Sequence, residues 1–153
     1  MASADDGKLS WGVLGRAVGP RARLLRNVLT TRNLAALAPF GLPTGSLSIM
    51  ALISANEGCS QTMLARQTGM NKSALVGVLD ELERRGIAKR TVAAEDRRRN
   101  VLSLTPEGAR LMDEMQRAAN AEEEPIRKAL SDEELTQLIS LMERAYDALG
   151  EGD

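Results

Sequence analysis

Residues 81–108 read ELERRGIAKRTVAAEDRRRNVLSLTPEG. Two short runs rich in β-branched and apolar residues, Ile87 to Val92 and Asn100 to Leu104, flank a charged centre with three consecutive arginines, Arg97 to Arg99. Such runs around a polar tip predict a β-hairpin. A core cannot take three guanidinium groups, and a solvated turn does not need them. A charge run is ordinarily a soluble turn, so the weight falls on what surrounds this one.

Immediately before it lie two short helical segments. QTMLARQTG (61–69) ends on Gly69 as a C-terminal cap, and NKSALVGVLDELERRG (71–86) opens on Asn71 as N-cap and closes at Gly86. The TGMN interruption (68–71) is short enough to force the two helices to cross steeply, which is helix-turn-helix spacing. Leu64, Leu75, Leu79 and Leu82 are the expected core behind them.

Further out, both ends read as amphipathic helices. Trp11, Leu14, Val18, Ala22, Leu25, Val28 and Leu29 recur at three- and four-residue steps, predicting one helix over 10–37, kinked at Gly19-Pro20. APFGLP (38–43) breaks it, a second helix with Leu47, Met50, Ala51 and Ser54 on one side follows Pro43, and ANEGCS (55–60) is a break or a short strand. After the hairpin, Thr105 caps a helix starting with Pro106 and Glu107 and running to about Ala121, with Leu111, Met112 and Met115 inward. EEEP (122–125) is expected to interrupt it. A last helix opens with a capping box, Ser131 to Glu134, and carries Leu135, Leu138, Ile139, Met142 and Leu149 on one side.

The bulk numbers agree with one ordinary domain: 153 residues, 43% hydrophobic and 27% charged, with no apolar run of membrane length. The N-terminal MASADDGKLSWG has acidic residues and no long apolar segment, unlike a secretory signal. The single cysteine, Cys59, excludes an intrachain disulfide and fits a reducing cytosol. The expectation is a cytoplasmic protein without a membrane partner. Histidine is absent, which removes the commonest general base, the usual nucleophile activator and most transition-metal sites. With no other catalytic arrangement visible, the chain reads as a non-enzyme with no catalytic residue, metal or cofactor. Net charge is −1, but it is segregated. Arg84 to Arg99 holds seven basic residues against two acidic, and Glu122 onward ten acidic against three basic. The middle can meet a polyanion that the C-terminal part would repel.

At this point the stretch LDELERRGIAKRTVAAEDRRRNVLSLTPEGARLM (79–112) resembles the winged-helix core of the MarR (multiple antibiotic resistance) transcriptional regulators. The family's wing pattern is an aspartate, one residue, an arginine, five residues, then Leu-Thr, met here by Asp96, Arg98, Leu104 and Thr105. The resemblance extends over residues 10–150. It implies a mainly α fold with a small β-hairpin wing, a winged helix-turn-helix core flanked by N- and C-terminal dimerisation helices. The whole chain, 1–153, is then a single domain, with 10–37 and 106–150 mainly dimerisation helices and 43–105 the DNA-binding lobe. The implied function is a ligand-responsive repressor, binding double-stranded DNA as a homodimer at pseudo-palindromic half-sites about one turn of ~10 bp apart.

Residue by residue, the resemblance makes Arg98 the minor-groove contact, Asp96 the carboxylate that orients it, and Arg97 and Arg99 phosphate contacts or outward-pointing charges. Asn71, Lys72 and Ser73 would face the major groove, with Ala74, Val76 and Gly77 beside them. Ala74 and Val76 are smaller and less polar than many relatives carry; they would touch thymine methyls, or pack between helices. Ser60, Gln61 and Thr62 are candidate phosphate contacts. Relatives bind small anionic, often aromatic effectors, which implies an aromatic carboxylate or an acyl-CoA thioester. Arg16 and Arg26 are the candidate anion ligands, with Trp11, Phe40, Leu47 and Met50 as apolar walls; the alternatives are a solvated helix face and ordinary core. Some relatives sense oxidants through a cysteine near the N-terminus, but Cys59 lies elsewhere and lacks a neighbouring histidine or a resolving cysteine. A winged-helix protein-interaction module without specific DNA binding is the alternative function.

Overall fold

The computed structural model describes residues 9–92 and 100–150. Among them the order is α1 (Val18–Leu37), α2 (Ser46–Ala55), α3 (Gln61–Thr68), α4 (Lys72–Arg84), β1 (Ala88–Val92), β2 (Asn100–Leu104), α5 (Pro106–Ala129) and α6 (Asp132–Gly150). Short 3-10 turns lie at Gly12–Leu14 and Ala38–Phe40. The strands pair antiparallel, from Ala88 opposite Leu104 to Val92 opposite Asn100. This is the mainly helical fold with one hairpin that the sequence implied.

The core sits behind α3 and α4. Ile49, Met50 and Ile53 from α2 meet Leu64, Leu75, Val78, Leu79 and Leu82, and are closed over by Ile87, Leu102 and Met115. The four leucines expected there are at most 2% exposed. Leu75, Val78, Leu79 and Leu82 fall on one stripe of α4, the i, i+3, i+4, i+7 pattern of a half-buried helix. By contrast, neither α1 nor α6 has a buried residue.

Two boundaries depart from expectation, and one left open is decided. The N-terminal helix does not run from residue 10 with a kink; α1 begins at Val18, so Pro20 lies in its first turn. There the missing N–H would have had no intrahelical partner, and the ring has no preceding turn to strike. The apolar spacing of Trp11 and Leu14 continues into a 3-10 turn, tied back by Arg21, whose guanidinium donates to the Leu14 and Ala17 carbonyls at 3.1 and 2.9 Å. Residues 56–59 form a turn, the break of the two readings and not the strand, closed by the Cys59 N–H on the Asn56 carbonyl at 3.0 Å.

The second departure is α5, which continues through EEEP to Ala129 with Pro125 in its interior. Packing overrides the local penalty. Arg32 of α1 holds Glu122 at 3.0 Å, and the i,i+4 pairs Glu123–Arg127 and Glu124–Lys128, each at 3.6 Å, bridge the proline.

The wing is fixed to α5 by a close approach. A Cβ on Gly108 would lie 2.0 Å from the Ile87 carbonyl oxygen, so only glycine permits this contact. Thr105 caps α5 by accepting from the Gly108 N–H at 3.0 Å while its hydroxyl donates to the Gly86 carbonyl at 2.7 Å. No helix among the described residues is long and apolar enough to cross a membrane.

Candidate nucleic-acid interface

Helices α3 and α4 are set by their caps. Ser60 Oγ accepts from the Met63 N–H at 3.3 Å, and Asn71 Oδ1 from the Ala74 N–H at 2.8 Å. Between them Gly69 takes φ +64°, the left-handed value that lets the chain turn sharply out of α3. With the apolar stripe of α4 buried, Asn71, Lys72, Ser73, Ala74 and Gly77 stand exposed on the other side and Val76 is half-buried. A Cβ on Gly77 would meet nothing within 4 Å. At the start of α3, Thr62 is exposed and Ser60 and Gln61 are half-buried. The side-chain oxygens of Ser60 and Asn71 thus already serve as caps, leaving Lys72 and Ser73 as the outward polar groups at that end of α4.

At the far end of α4 the charges pair within the chain. Arg84 holds Glu81 at 2.6 Å, and that hydrogen bond, more than the charge itself, keeps the Glu81 carboxyl below its ordinary range. Arg85 donates to the Phe40 and Gly41 carbonyls at 3.0 and 3.1 Å. Arg90 on β1 reaches back to Asp80 at 2.9 Å and Glu83 at 2.8 Å. The basic excess read from Arg84 onward is therefore smaller than the count suggests, because Asp80, Glu81 and Glu83 stand just before it. Asp96, Arg97 and Arg98, the expected wing contacts, lie outside the described residues.

A second feature is a cavity of about 610 Å³ between α1, the segment leading into α2, and Met115 and Met142. Its walls are mostly apolar, including Leu25, Leu29, Leu34 and Leu47, with Arg26, Thr30 and Asn33 from one face of α1. Asn33 Oδ1 is buried and has no hydrogen-bond partner among the described residues. Of the expected ligand residues, Arg26 and Leu47 line this cavity. Trp11 and Arg16 lie outside it, Trp11 stacking on the Arg21 guanidinium at 5.0 Å. Met50 is fully buried in the core and Phe40 packs against it. Thr30 and Asn33 were not singled out from sequence; their i+4 and i+7 spacing from Arg26 was the available signal.

Cys59 is 4% exposed, and burial pushes its thiol above the ordinary range against the opposing pull of a backbone hydrogen bond. That disfavours the thiolate a redox sensor needs.

The model of the MarR family matches residues 40–99, from the end of the first connection through the helix-turn-helix into the wing. The sequence is similar to a protein of Thauera aromatica assigned as the transcriptional regulatory protein for the hcr operon, 32% identical over 106 residues, 69% of this chain. The chain spans 64% of that relative's length. Among solved structures, CouR from Rhodococcus jostii RHA1 bound to p-coumaroyl-CoA is 30% identical, with a TM-score of 0.73 over 92% of this chain and 96% of that one. The transcriptional repressor CouR bound to a 23-mer DNA duplex gives 27% identity and a TM-score of 0.76 over 90% of this chain and 98% of its own. With the helix-turn-helix and hairpin in place, and with likeness over nearly the whole length, the chain belongs to the MarR family.

Proposed function

We propose that this chain is a sequence-specific DNA-binding repressor that acts as a homodimer on a pseudo-palindromic operator and is released by a small anionic effector with an apolar body. The observation that carries the reading is the division of α4. Its apolar stripe is buried, while Lys72, Ser73, Ala74 and Gly77 are exposed on a helix of the right length to enter a major groove. The DNA-bound CouR structure, similar over 90% of this chain, supports it. In this reading Ser60, Gln61, Thr62 and Asn71 stand near phosphates, Ala74 and Val76 near thymine methyls, and Asp96, Arg97 and Arg98 act from the wing.

The homodimer reading rests on uncovered apolar surface. Val28 on α1 and Ile139, Met142, Tyr146 and Leu149 on α6 are all more than half exposed, and a second copy of the same helices would cover them. The effector reading rests on the cavity. Apolar walls suit an aromatic or acyl group, Arg26 suits its anion, and the unpartnered Asn33 Oδ1 calls for a ligand N–H or O–H donor. The acyl-CoA thioester bound by CouR is one compound of this chemistry. An effector would act by binding one dimer geometry more tightly than the other.

Fluorescence anisotropy against upstream and random duplexes at two salt concentrations tests this. Selective dimeric binding lost in Arg98→Ala, and released by an aryl-acyl-CoA but not by CoA alone, is expected. Weak, wholly salt-driven binding unchanged by Arg98→Ala would instead favour a protein-interaction module.

A further inference from the structure

The wing is a two-stranded ribbon, and one rung of it is fastened both to α4 and to the turn that leads into α3. Arg90 and Leu102 face each other across the strands. Both turn their backbone N–H groups outward, away from the partner strand. Leu102 donates to the carbonyl of Cys59, the residue before the α3 cap, at 3.3 Å. Arg90 donates to Glu83 Oε1 of α4 at 3.1 Å. An exposed edge N–H is ordinarily left to water or to another strand; here both edges are occupied at the same rung.

Arg90 adds its side chain to that fastening. One guanidinium nitrogen holds Glu83 Oε2 at 2.8 Å and another holds Asp80 Oδ1 at 2.9 Å, so Glu83 takes both the backbone and the side chain of Arg90. The group is three-quarters buried, and its Nε has no hydrogen-bond partner among the described residues. A planar fork fixes direction as well as distance, which a lysine ammonium cannot do.

We propose that Arg90 is the positioning residue of the wing: through Glu83 and Asp80 it holds the base of β1 at a set angle to α4, so that helix and wing meet DNA together. This rests on the DNA-binding reading. Arg90 itself touches no base or phosphate in this scheme. Asp80 lies along α4 from Ser73 and Gly77, and Arg90 also offsets its charge there.

The test uses the full chain in two measurements on Arg90→Met and Arg90→Lys. In the free protein, hydrogen exchange should quicken in peptides covering β1 and β2 in Arg90→Met, with α5 and α6 unchanged. On DNA, Arg90→Met should lose selective affinity by roughly tenfold or more, Arg90→Lys should recover part of it, and random-duplex binding should hardly move. Unchanged exchange in the wing would overturn the proposal. So would quickened exchange throughout α4 and α5, which would make Arg90 a mere support of the fold. Recovery of selective affinity on adding Asp80→Asn and Glu83→Gln would show that uncompensated charge, and not geometry, was the loss. Should the unaltered protein fail to prefer any duplex, the DNA reading falls, and the positioning role falls with it whatever the exchange data show.

Discussion

Gly108 and Gly77 look alike in sequence, each inside an amphipathic helix, yet the structure assigns them opposite responses to alanine. At Gly108 the added Cβ would lie 2.0 Å from the Ile87 carbonyl oxygen, 2.9 Å from its carbon and 3.1 Å from its Cγ2. Ordinary C···O contact begins at about 3.3 Å, so the shortfall exceeds about 1 Å. Ile87 cannot yield, because its oxygen also accepts from the Thr105 N–H at 3.0 Å. Relief means lifting the start of α5, which gives up the Thr105 cap, about 1 kcal/mol, and the Thr105–Ile87 hydrogen bond, about 1 kcal/mol. Overpacking adds about 1–3 kcal/mol. Gly108→Ala should therefore cost about 3–5 kcal/mol. At roughly 2–4 °C per kcal/mol for a chain of this size, the melting point should fall by about 6–20 °C. At Gly77 nothing lies within 4 Å of the same atom, and alanine should stabilise α4 by about 0.5–1 kcal/mol. Urea unfolding followed by circular dichroism, at one fixed protein concentration, separates the two. A Gly108→Ala unfolding free energy within about 1 kcal/mol of the parent's would refute the close-approach argument.

Two further outcomes follow from single sites. Burial raises the Cys59 thiol, so the unfolded chain ionises first as pH rises through the ordinary thiol range near ~8.5; stability should fall there, and Cys59→Ala should lack that part of the slope. Alkylation should correspondingly be slow until urea unfolds the chain, and rapid labelling of the native protein would contradict the buried placement. Ser131→Ala removes the Oγ that accepts from the Glu134 N–H at 3.2 Å, and should cost about 1 kcal/mol, seen as faster exchange in the first turn of α6.

What was legible in the sequence was what local chemistry decides. Asn71, Thr105 and Ser131 cap the helices they stand before, Gly69 and Gly86 take the left-handed turn, and the hairpin pairs where its β-branched runs lie. The misjudged boundaries are those where a longer-range effect wins. Apolar spacing runs unbroken from Trp11 through Val18, so periodicity alone could not see the 3-10 turn between them. Pro125 forbids a helix only as far as its own turn is concerned, and packing of α5 on α1 outweighs it. Spacing within α1 puts Asn33 on the face of Arg26, but that its amide oxygen is buried without a partner among the described residues depends on the segments that close the cavity.

The charge pattern shows the same limit most clearly. From sequence, every arginine between 84 and 99 counted equally toward a polyanion. In the fold, Arg84 is held by Glu81, Arg85 by the carbonyls of Phe40 and Gly41, and Arg90 by Asp80 and Glu83. Arg90's partners are ten and seven residues earlier, across a turn and on another element, so window counting separated it from them. Each of these arginines already holds protein groups, with which a phosphate would compete. Lys72 and Lys89, exposed and without an ion-pair partner among the described residues, face no such competition. In the DNA-binding reading, the electrostatic attraction then comes from these lysines and the wing arginines Arg97 to Arg99. Arg90, in the positioning role proposed for it, sets the angle at which the wing charges are presented.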